Sequence, residues 1–448
     1  MNITDQFIEY LFDKKQRISL DVLEAARKCL IDYLGVTYAG AFASEATLKK
    51  YTNSVKNESG IKCIGIPVHC GINTAAFING YNAHILELDD GHQFGMIHLG
   101  APVISAVIAA AQKENADGID VLKGIVMGYE AAVRLALAIQ PYHKQKGFHT
   151  SGTCGTIGAA IGTAVILKLD KQQLKTAVSA AVTSAAGLLA IQEDDSELKP
   201  YNTGHAAMSG VNAAYTGLTG LSPPHDVLLG TRGIMMIMAE QRDVDKLVAD
   251  EKYYEIERIY TKPYAACRHC HSAIEAALHM RENIGIDVKA IRSIRVYTYK
   301  MAIKGHDHTD ISTISSAKLS IPFCVAAAYY LGSCGFQTFS EENIKDETIK
   351  KLTKKIHVYE KEEYSAVSPE KRISELQLLS ESGETYTYRV DYAKGDPRNP
   401  MNMQEVKGKY LDLMKYADKA EIADKIMAAL EDIEHSAEKL YSCLNENK

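Results

Sequence analysis

The sequence contains no tryptophan and only 11 prolines in 448 residues, whereas glycine occurs 31 times. Hydrophobic residues make up 46% and charged residues 24%. This composition excludes a disordered or loop-rich chain, because such chains are rich in proline and poor in apolar residues. It favours alanine-rich helices in close contact. The length exceeds what one ordinary hydrophobic core organises, so we expect two domains.

Strong charge of either sign is also absent. The formal net charge is −6, and residues of both signs are spread along the chain. We find no basic stripe and no RNA-recognition signature, so nucleic acid is not an expected partner. A small anionic ligand remains compatible with this charge, because a local pocket and not the net charge decides its binding.

No segment has the features of a signal peptide or a membrane span. The first residues, MNITDQFIEYLF, include acids and lack a basic region followed by an apolar run. The longest uncharged stretch, Thr176–Gln192, consists mainly of Ala, Ser, Val and Thr and predicts a buried helix. Nine cysteines scattered along a long chain are typical of reduced thiols. We therefore expect a cytoplasmic protein without a membrane anchor.

Several common catalytic motifs are missing from the sequence. It has no Gly-x-Ser-x-Gly elbow, no protein-kinase signature, no His-Glu-x-x-His and no cysteine triplet for an iron–sulfur cluster. These absences leave proton transfer by side chains as the expected chemistry.

Helical periodicity dominates residues 1–258. Apolar residues recur every three or four positions in Leu20–Tyr38, with Ser19 as the predicted N-cap, and again in Asp117–Ile139. Between residues 156 and 221, three segments rich in Gly, Ala, Ser and Thr predict helices at the centre of a tightly packed bundle, because small side chains let helices approach closely.

The pattern changes between residues 259 and 400. Alternating β-branched residues in Ile291–Tyr299 predict a strand, and the alternating arms of ELQLLSESGETYTYRVDY predict a hairpin with Ser-Gly at its turn. Residues 401–448 return to helix and are expected to complete the first domain, as two final helices. The expected fold class is mainly α, with a large all-helical domain and an inserted α+β domain.

The densest group of ionisable residues lies in HILELDDGHQFGMIH, residues 84–98. If the preceding helix continues, His84, Glu87 and Gly91 share one of its faces, and Asp89 and Asp90 lie at its C-terminus. Acids at a helix C-terminus oppose the helix dipole, so their presence indicates a role other than helix stability. A solvated surface loop explains the same residues equally well.

A second candidate segment is KGFHTSGTCGTIGAAIG, which contains Lys146 and His149. Backbone N–H groups at its glycine- and threonine-rich helix start would suit an anion. It lacks the Gly-Lys-Ser/Thr ending of a phosphate loop and follows no clear strand, so neither a phosphate loop nor a dinucleotide site is expected. A tight helix–helix contact is the simpler explanation of its glycines.

The third candidate segment is TKPYAACRHCHSAIEA, which follows residue 260. Cys267, Cys270 and His271 have a spacing seen in zinc sites, but no second ligand pair follows and Arg268 disfavours a dication. A cationic cluster that includes Lys262, Arg268 and His271 fits carboxylate binding better. No metal site is expected.

In their order and spacing, these segments resemble the MmgE/PrpD family, which includes 2-methylcitrate dehydratase, cis-aconitate decarboxylase and iminodisuccinate epimerase. Four further segments carry the resemblance: LKPYNTGHAAMSG, LLGTRGI, AKLSIPFCVAAA and GDPRNPM. The resemblance covers nearly the whole chain. It implies a helical domain completed by the C-terminal helices, an α+β lid, a homodimer, a site in the cleft between the domains, and no cofactor.

The resemblance also implies which residues act. The catalytic residues carried over are Glu87, Asp90, His98, His149, Lys199 and Lys262. The substrate-binding residues are Lys146, Arg268, His271 and Gly91. In this hypothesis His98 and His149 transfer protons, and the acidic residues orient them.

The chain departs from the decarboxylase-like and methylcitrate-like members at four positions. Those members tend to have Asp where this chain has Glu87, Thr in place of Gly91, and Pro in place of Leu99. The decarboxylase also has His at the position of Cys267. These differences argue against cis-aconitate decarboxylation and leave methylcitrate dehydration open.

The expected function is therefore a cofactor-independent reaction on a small di- or tricarboxylate that begins with proton abstraction next to a carboxylate. A lyase with dehydratase-like elimination is favoured. The first alternative is an epimerase or isomerase of an amino- or imino-substituted succinate. The second is a non-catalytic helical scaffold, which is disfavoured because the ionisable residues of the family are present.

Overall fold

The computed structural model describes residues 1–57, 60–193 and 196–445. The chain divides into two compact units, one formed by Met1–Tyr260 with Asn402–Lys448 and the other by Thr261–Met401. Helices dominate and the sheets are small, so the prediction of a mainly α fold with a smaller α+β portion is confirmed.

Among its described residues, the regular secondary structure of the first unit is helical apart from a two-residue ladder. Its helices are α1 (Ile3–Gln16), α2 (Leu20–Val55), α3 (Ile72–Ile85), α4 (Ser105–Glu114), α5 (Gly118–Ile139), α6 (Tyr142–Gln145), α7 (Thr150–Ile166), α8 (Lys171–Ser184), α9 (Lys199–Thr216), α10 (Ile234–Met238), α11 (Asp245–Val248), α19 (Met403–Tyr416), α20 (Ala420–Glu431) and α21 (Ala437–Asn445). The ladder pairs β1 (Ile61–Lys62) with β2 (His69–Cys70), and a short π-helix, Gly100–Ile104, leads into α4.

Local sequence signals explain several helix starts. Asp170 and Gln173 form a capping box at the start of α8, and Asn402 and Glu405 form another at the start of α19. Each box satisfies backbone N–H groups that the first helical turn would otherwise leave without a partner. Ser19 precedes α2 as predicted, although its side chain makes no capping hydrogen bond.

Helices α5, α7 and α9 pack closely because glycines lie where they cross. A Cβ atom on Gly158 of α7 would lie 2.6 Å from the carbonyl oxygen of Gly128 on α5. A Cβ atom on Gly210 of α9 would lie 2.4 Å from the Cβ of Ala159 on α7. Any larger residue would force the backbones apart, so the small-residue segments form the tight bundle that was predicted.

The long uncharged helix predicted over Thr176–Gln192 is wrong in extent. Helix α8 ends at Ser184, and only a short 3₁₀ turn, Leu189–Gln192, follows within that stretch. Gly187 between them has a φ of 141°, a conformation that a helix cannot contain. In the described part of the chain, no helix is both long and apolar enough to cross a bilayer.

The C-terminal residues pack on the first unit as three helices, not two, because the predicted last helix is interrupted between Glu431 and Ala437. Helix α19 lies against α2, where a Cβ on Gly35 would approach the Cα of Tyr410 to 3.2 Å. This contact allows α19 to support the site described below.

The second unit combines a four-stranded sheet with short helices. Its elements are α12 (His271–Asn283), β3 (Ile291–Thr298), α13 (Lys300–Ile303), α14 (Ile314–Leu319), α15 (Ile321–Leu331), α16 (Glu341–Lys345), α17 (Glu347–Thr353), β4 (Ile356–Glu360), α18 (Glu362–Ala366), β5 (Ser374–Ser380) and β6 (Thr385–Val390). The strand order is β4-β3-β5-β6, and only β3 and β4 run parallel. The predicted hairpin is β5–β6, with Gly383 at positive φ in its turn.

Candidate active site

The acidic segment after α3 is an irregular loop, so the prediction that it continues the helix is wrong. Helix α3 ends at Ile85, and Glu87 has a φ of 56°. This left-handed conformation is uncommon for a residue other than glycine and turns the chain out of the helix. Glu87 and Gly91 consequently do not share a helical face with His84.

Within this loop, Asp89 bridges two imidazole rings. Its Oδ2 lies 2.9 Å from Nδ1 of His84 and 3.2 Å from Nδ1 of His98. The two rings meet edge to face with their centroids 4.6 Å apart. Burial alone would raise the pKa of Asp89, but the two histidines hold this pKa well below its usual range. Asp89 is therefore a carboxylate, and it accepts an Nδ1–H from each ring.

This contact decides which nitrogen of His98 carries the proton. Its Nδ1 faces the Asp89 carboxylate and also the Asp90 carbonyl oxygen at 3.1 Å, and both are acceptors only. In the neutral ring the proton therefore resides on Nδ1, and Nε2 keeps its lone pair. The backbone N–H of His98 donates to Oγ of Ser151 at 3.0 Å, which fixes the end of the loop against the start of α7.

The Asp90 carboxyl group has different partners. Its Oδ1 accepts the backbone N–H of Gly100 at 2.8 Å, and its Oδ2 accepts the hydroxyl of Tyr129 at 2.6 Å. Burial raises the pKa of Asp90 to about 7, although both hydrogen bonds oppose that rise. The carboxyl of Asp90 thus ties the loop to α5 and the π-helix, and only its backbone carbonyl faces a histidine.

Lys199 and Glu87 form an ion pair next to these rings. Lys199 is the first residue of α9, and its Nζ donates to Oε1 of Glu87. The same carboxylate oxygen lies 3.6 Å from Nε2 of His84. Glu87 therefore connects the lysine to the pair of histidines that Asp89 bridges.

His149 lies at the N-cap of α7 and completes the group. Asn202 of α9 places its Nδ2 3.0 Å from Nδ1 of His149, and an amide N–H is a donor, so Nδ1 accepts. Burial holds the pKa of His149 well below its usual value, and the positive charge of Lys199 lowers it further. His149 is therefore neutral, with its proton on Nε2. The histidine–carboxylate cluster comprises His84, Glu87, Asp89, His98, His149 and Lys199.

Gly91 is required because a tyrosine hydroxyl fills the space beside it. A Cβ atom on Gly91 would lie 2.4 Å from the hydroxyl oxygen of Tyr260 and 2.7 Å from the carbonyl oxygen of Ile97. Gly91 and Tyr260 also exchange two backbone hydrogen bonds, of 3.2 and 2.8 Å. A residue with a side chain at position 91 would displace Tyr260 or the loop.

Two buried side chains, those of Lys409 and His92, fix the conformation of the loop. The Nζ of Lys409, on α19, donates to the carbonyl oxygen of Leu88 at 2.9 Å and pairs with Asp32 of α2 at 2.7 Å. His92 is fully buried, and its Nδ1 accepts the N–H of Gly95 at 3.0 Å. Burial lowers the pKa of His92 to about 3, so it is a neutral structural residue.

Lys146 does not join the histidine–carboxylate cluster. Its Nζ donates to the carbonyl oxygen of Ile237 at 3.0 Å in an exposed position. This contact ties the chain before His149 to residue Ile237.

Three of the proposed site residues belong to the second unit. Lys262 is almost completely buried, and Arg268 pairs with Asp396 at 3.2 Å. His271 is also buried, and its Nε2 donates to the carbonyl oxygen of Ala266 at 3.2 Å. Burial, together with the charges of Arg268 and Lys262, holds the pKa of His271 well below its usual value, so the ring is neutral.

The side chains near Cys267 that could ligate a metal have other partners. Cys267 contacts His306, Cys270 points its sulfur to the carbonyl oxygen of Leu319, and His271 bonds to a backbone carbonyl. Across the described ranges, the metal-ligating atoms that come within 4.8 Å of one another as a group of three belong to His84, Asp89 and His98. Hydrogen bonds from the two rings to Asp89, of 2.9 and 3.2 Å, explain why these three residues lie close together. The Lys199 ammonium next to Glu87 opposes a dication there.

Sequence reasoning omitted four residues that shape this cluster: His84 and Asp89 as an interacting pair, Asn202 and Tyr260. The sequence did contain a signal for Asp89. It is one of two adjacent acids after His84, and the sequence leaves open which of the two faces the imidazole rings. Asn202 carries a weaker signal, since it lies one helical turn after Lys199 and therefore on the same face of α9.

The comparisons with known proteins identify the family. Residues 6–247 match the MmgE/PrpD N-terminal domain, and residues 264–433 match the MmgE/PrpD C-terminal domain. The chain belongs to the MmgE/PrpD family. The resemblance noted in the sequence is therefore confirmed.

Members of the MmgE/PrpD family with similar sequences include cis-aconitate decarboxylases. The cis-aconitate decarboxylase-like protein oryM of Aspergillus oryzae is 24% identical over 98% of this chain and 95% of its own length. The cis-aconitate decarboxylase of Aspergillus terreus is 23% identical over 88% of this chain and 86% of its own. That of Homo sapiens is 23% identical over 97% of this chain and 92% of its own.

Proposed function

We propose that this MmgE/PrpD protein is a cofactor-independent lyase that removes a proton next to a carboxylate of a small di- or tricarboxylic acid. The observation that carries the proposal is the pair of opposite tautomers in the histidine–carboxylate cluster. His98 presents an unprotonated Nε2, whereas His149 presents an Nε2–H. In these resting tautomers, one ring is ready to accept a proton at Nε2 and the other to donate a hydrogen bond from Nε2.

His98 is the proposed general base. Its Nδ1–H is held by the Asp89 carboxylate, which orients the ring and stabilises the imidazolium that forms when Nε2 takes a proton. The ring is 14% exposed, whereas His84 is fully buried, so of these two histidines only His98 can reach a ligand. His84 is a positioning residue that braces Asp89 from the other side.

His149 is the proposed hydrogen-bond donor to the developing enolate oxygen. A neutral imidazole with a depressed pKa can polarise a carboxylate or carbonyl oxygen and needs no charge of its own. Lys199 contributes a positive charge near the same ring. Glu87 holds this lysine through the ion pair, so we assign to Lys199 the stabilisation of negative charge and the delivery of a proton to the leaving group.

Elimination is favoured over the other outcomes that this chemistry allows. Decarboxylases are lyases, and the curated relatives described above carry that activity in their names. Epimerisation or isomerisation of an amino- or imino-substituted succinate is the alternative, since it begins with the same proton abstraction. The departures at Glu87, Gly91 and Leu99 leave the substrate to be identified by experiment.

The remaining expectations from the family resemblance are part of the same proposal. Lys262 and Asp90 stay proposed as catalytic residues, and Lys146, Arg268, His271 and Gly91 stay proposed as substrate-binding residues. We also propose a homodimer, which light scattering during size-exclusion chromatography tests directly. Turnover should survive dialysis against EDTA, and elemental analysis should find less than about 0.1 metal ion per chain.

The proposed reaction is tested by incubating the purified protein with a panel of di- and tricarboxylates and of amino- and hydroxy-substituted succinates in deuterated water. Proton NMR distinguishes the outcomes, because elimination creates a vinyl proton, decarboxylation gives the signals of a product that is one carbon shorter, and epimerisation exchanges a proton with retention of the skeleton. We expect elimination with at least one acid of the panel. Exchange without elimination would support the epimerase, and no exchange with any acid would support a non-catalytic scaffold.

A further inference from the structure

A second pair of reactive side chains, to which the proposed reaction gives no role, lies in the α+β unit. The Sγ of Cys267 is 3.3 Å from Nε2 of His306, and both side chains are partly exposed. On the other side of the ring, Nδ1 of His306 lies 2.9 Å from the carbonyl oxygen of Lys304. A carbonyl only accepts, so Nδ1 carries the proton and the lone pair of Nε2 faces the thiol. This is the arrangement of a nucleophile, a base and a group that orients the base.

The backbone at Cys267 also favours a negative charge on sulfur. Cys267 immediately precedes the 3₁₀ turn Arg268–Cys270, which continues into the 13-residue helix α12. The backbone N–H of His269 donates to the sulfur. Thiolates are stabilised at such helix starts, where N–H groups converge on the anion.

The charged and titratable groups around the pair act in the same direction. Lys262 adds a positive charge near Cys267, and the neighbouring Cys270 and Tyr299 are buried and neutral because burial raises the pKa of each. Nδ1 of His269 bonds to the Tyr299 hydroxyl at 2.6 Å. Burial would also raise the pKa of Cys267, but the hydrogen bond and the charge of His306 lower it to about 6.

We propose that Cys267 and His306 form a nucleophilic site that adds covalently to α,β-unsaturated carbonyl compounds. The thiolate forms a carbon–sulfur bond at the β-carbon, and the π electrons of the double bond move to the α-carbon. The α-carbon then takes the proton from Nε2 of the His306 imidazolium, which returns the ring to its neutral form. The product is a thioether, and the step consumes no oxidant or further reactant. A paired proton donor distinguishes conjugate addition from simple alkylation, which needs none.

The other cysteines of the described chain are buried, so the pair can be tested by labelling. Acrylamide is the probe, the full-length protein is the sample, and peptide mass spectrometry reports the rate of modification at each cysteine between pH 5 and pH 10. We expect Cys267 to be modified first, with a rate whose midpoint lies near pH 6. The variant Cys267→Ser should lose this fast modification, whereas Cys443→Ser, as the matched control, should keep it.

A second variant tests whether His306, and not the accessibility of Cys267 alone, makes this thiol reactive. In His306→Gln the side chain still fills the space but cannot carry the charge, so the pKa of Cys267 should return to its ordinary range near 9. At pH 7 the variant has much less thiolate, and this outweighs the greater intrinsic nucleophilicity of that thiolate, so the modification should slow about fourfold. Above about pH 8 the variant should react faster than the wild type. A wild-type midpoint above pH 8, no preference for Cys267, or parallel pH profiles of wild type and a folded His306→Gln would each overturn the proposal.

Discussion

Oδ2 of Asp89 lies 3.2 Å from Nδ1 of His98, whereas the carboxyl group of the adjacent Asp90 bonds to Tyr129 and Gly100. Two consecutive acids thus have different roles, one that orients a histidine and one that anchors a loop. The sequence-based hypothesis assigned the orienting role to Glu87 and Asp90, and for His98 we propose Asp89 in this role.

The substitution Asp89→Asn should abolish most activity. An amide can donate to Nδ1 of His98 as well as accept from it, so the ring would no longer be held in the tautomer that leaves Nε2 unprotonated. We expect kcat to fall at least about 100-fold with little change in KM. Steady-state kinetics with the acid identified by the NMR panel measures this. A change in KM without a change in kcat would contradict the orienting role. The control is His435→Gln, which replaces an exposed histidine.

The substitution Asp90→Asn should act mainly on stability and its dependence on pH. Because burial raises the pKa of Asp90 to about 7, the folded state holds a proton that the unfolded state releases near pH 4. The contribution of Asp90 to stability is therefore present at low pH and is lost as the pH rises towards 7. Asn cannot ionise, so Asp90→Asn does not lose this stability. Between pH 5 and pH 7, the free energy of unfolding of the variant should rise relative to that of the wild type by up to about 3 kcal/mol. Urea unfolding at several pH values tests this, and parallel curves for the two proteins would refute it.

The substitution Asn202→Asp should reverse the tautomer of His149. A carboxylate accepts the Nδ1–H and favours the imidazolium, so the pKa of His149 should rise and Nε2 should lose its role as a neutral donor. We expect a lower kcat at pH 7 and a new ionisation in the pH dependence of kcat. NMR titration of the His149 ring gives the pKa directly. If the ring of Asn202→Asp titrated as in the wild type, the assignment of Asn202 as donor would be wrong.

The substitution Gly91→Ala should destabilise the first unit, because the added carbon would lie 2.4 Å from the Tyr260 hydroxyl. Overpacking of this kind costs about 1–3 kcal/mol in the free energy of unfolding. Thermal unfolding of Gly91→Ala in the wild-type and Tyr260→Leu backgrounds provides the test. The cost should be smaller in the second background, and equal costs would mean that Tyr260 does not fill this space.

Much of the fold could be predicted because its signals are local. Apolar periodicity indicated α2 and α5, and the Ser-Gly turn indicated the β5–β6 hairpin. The end of α3 could not be predicted, because no glycine or proline breaks the pattern there. The break depends on the left-handed backbone at Glu87 and on the buried Lys409, which lies 321 residues after Leu88 in the sequence and bonds to its carbonyl oxygen.

The candidate site could be predicted only in part for the same reason. The family resemblance supplied His98, His149 and Lys199, all of which the structure places in one cluster. It could not assign the acids, because the choice between Asp89 and Asp90 depends on which carboxylate meets Tyr129, a residue on α5. Contacts across such distances in sequence leave no periodic signal.

The central claim is that His98 removes the proton next to the substrate carboxylate. The most direct measurement is solvent deuterium exchange into that position, followed by NMR for the wild type, His98→Gln and the control His435→Gln. The account predicts measurable exchange for the wild type and the control, and a rate at least about 100-fold lower for a folded His98→Gln. Exchange at the wild-type rate in His98→Gln would contradict the account.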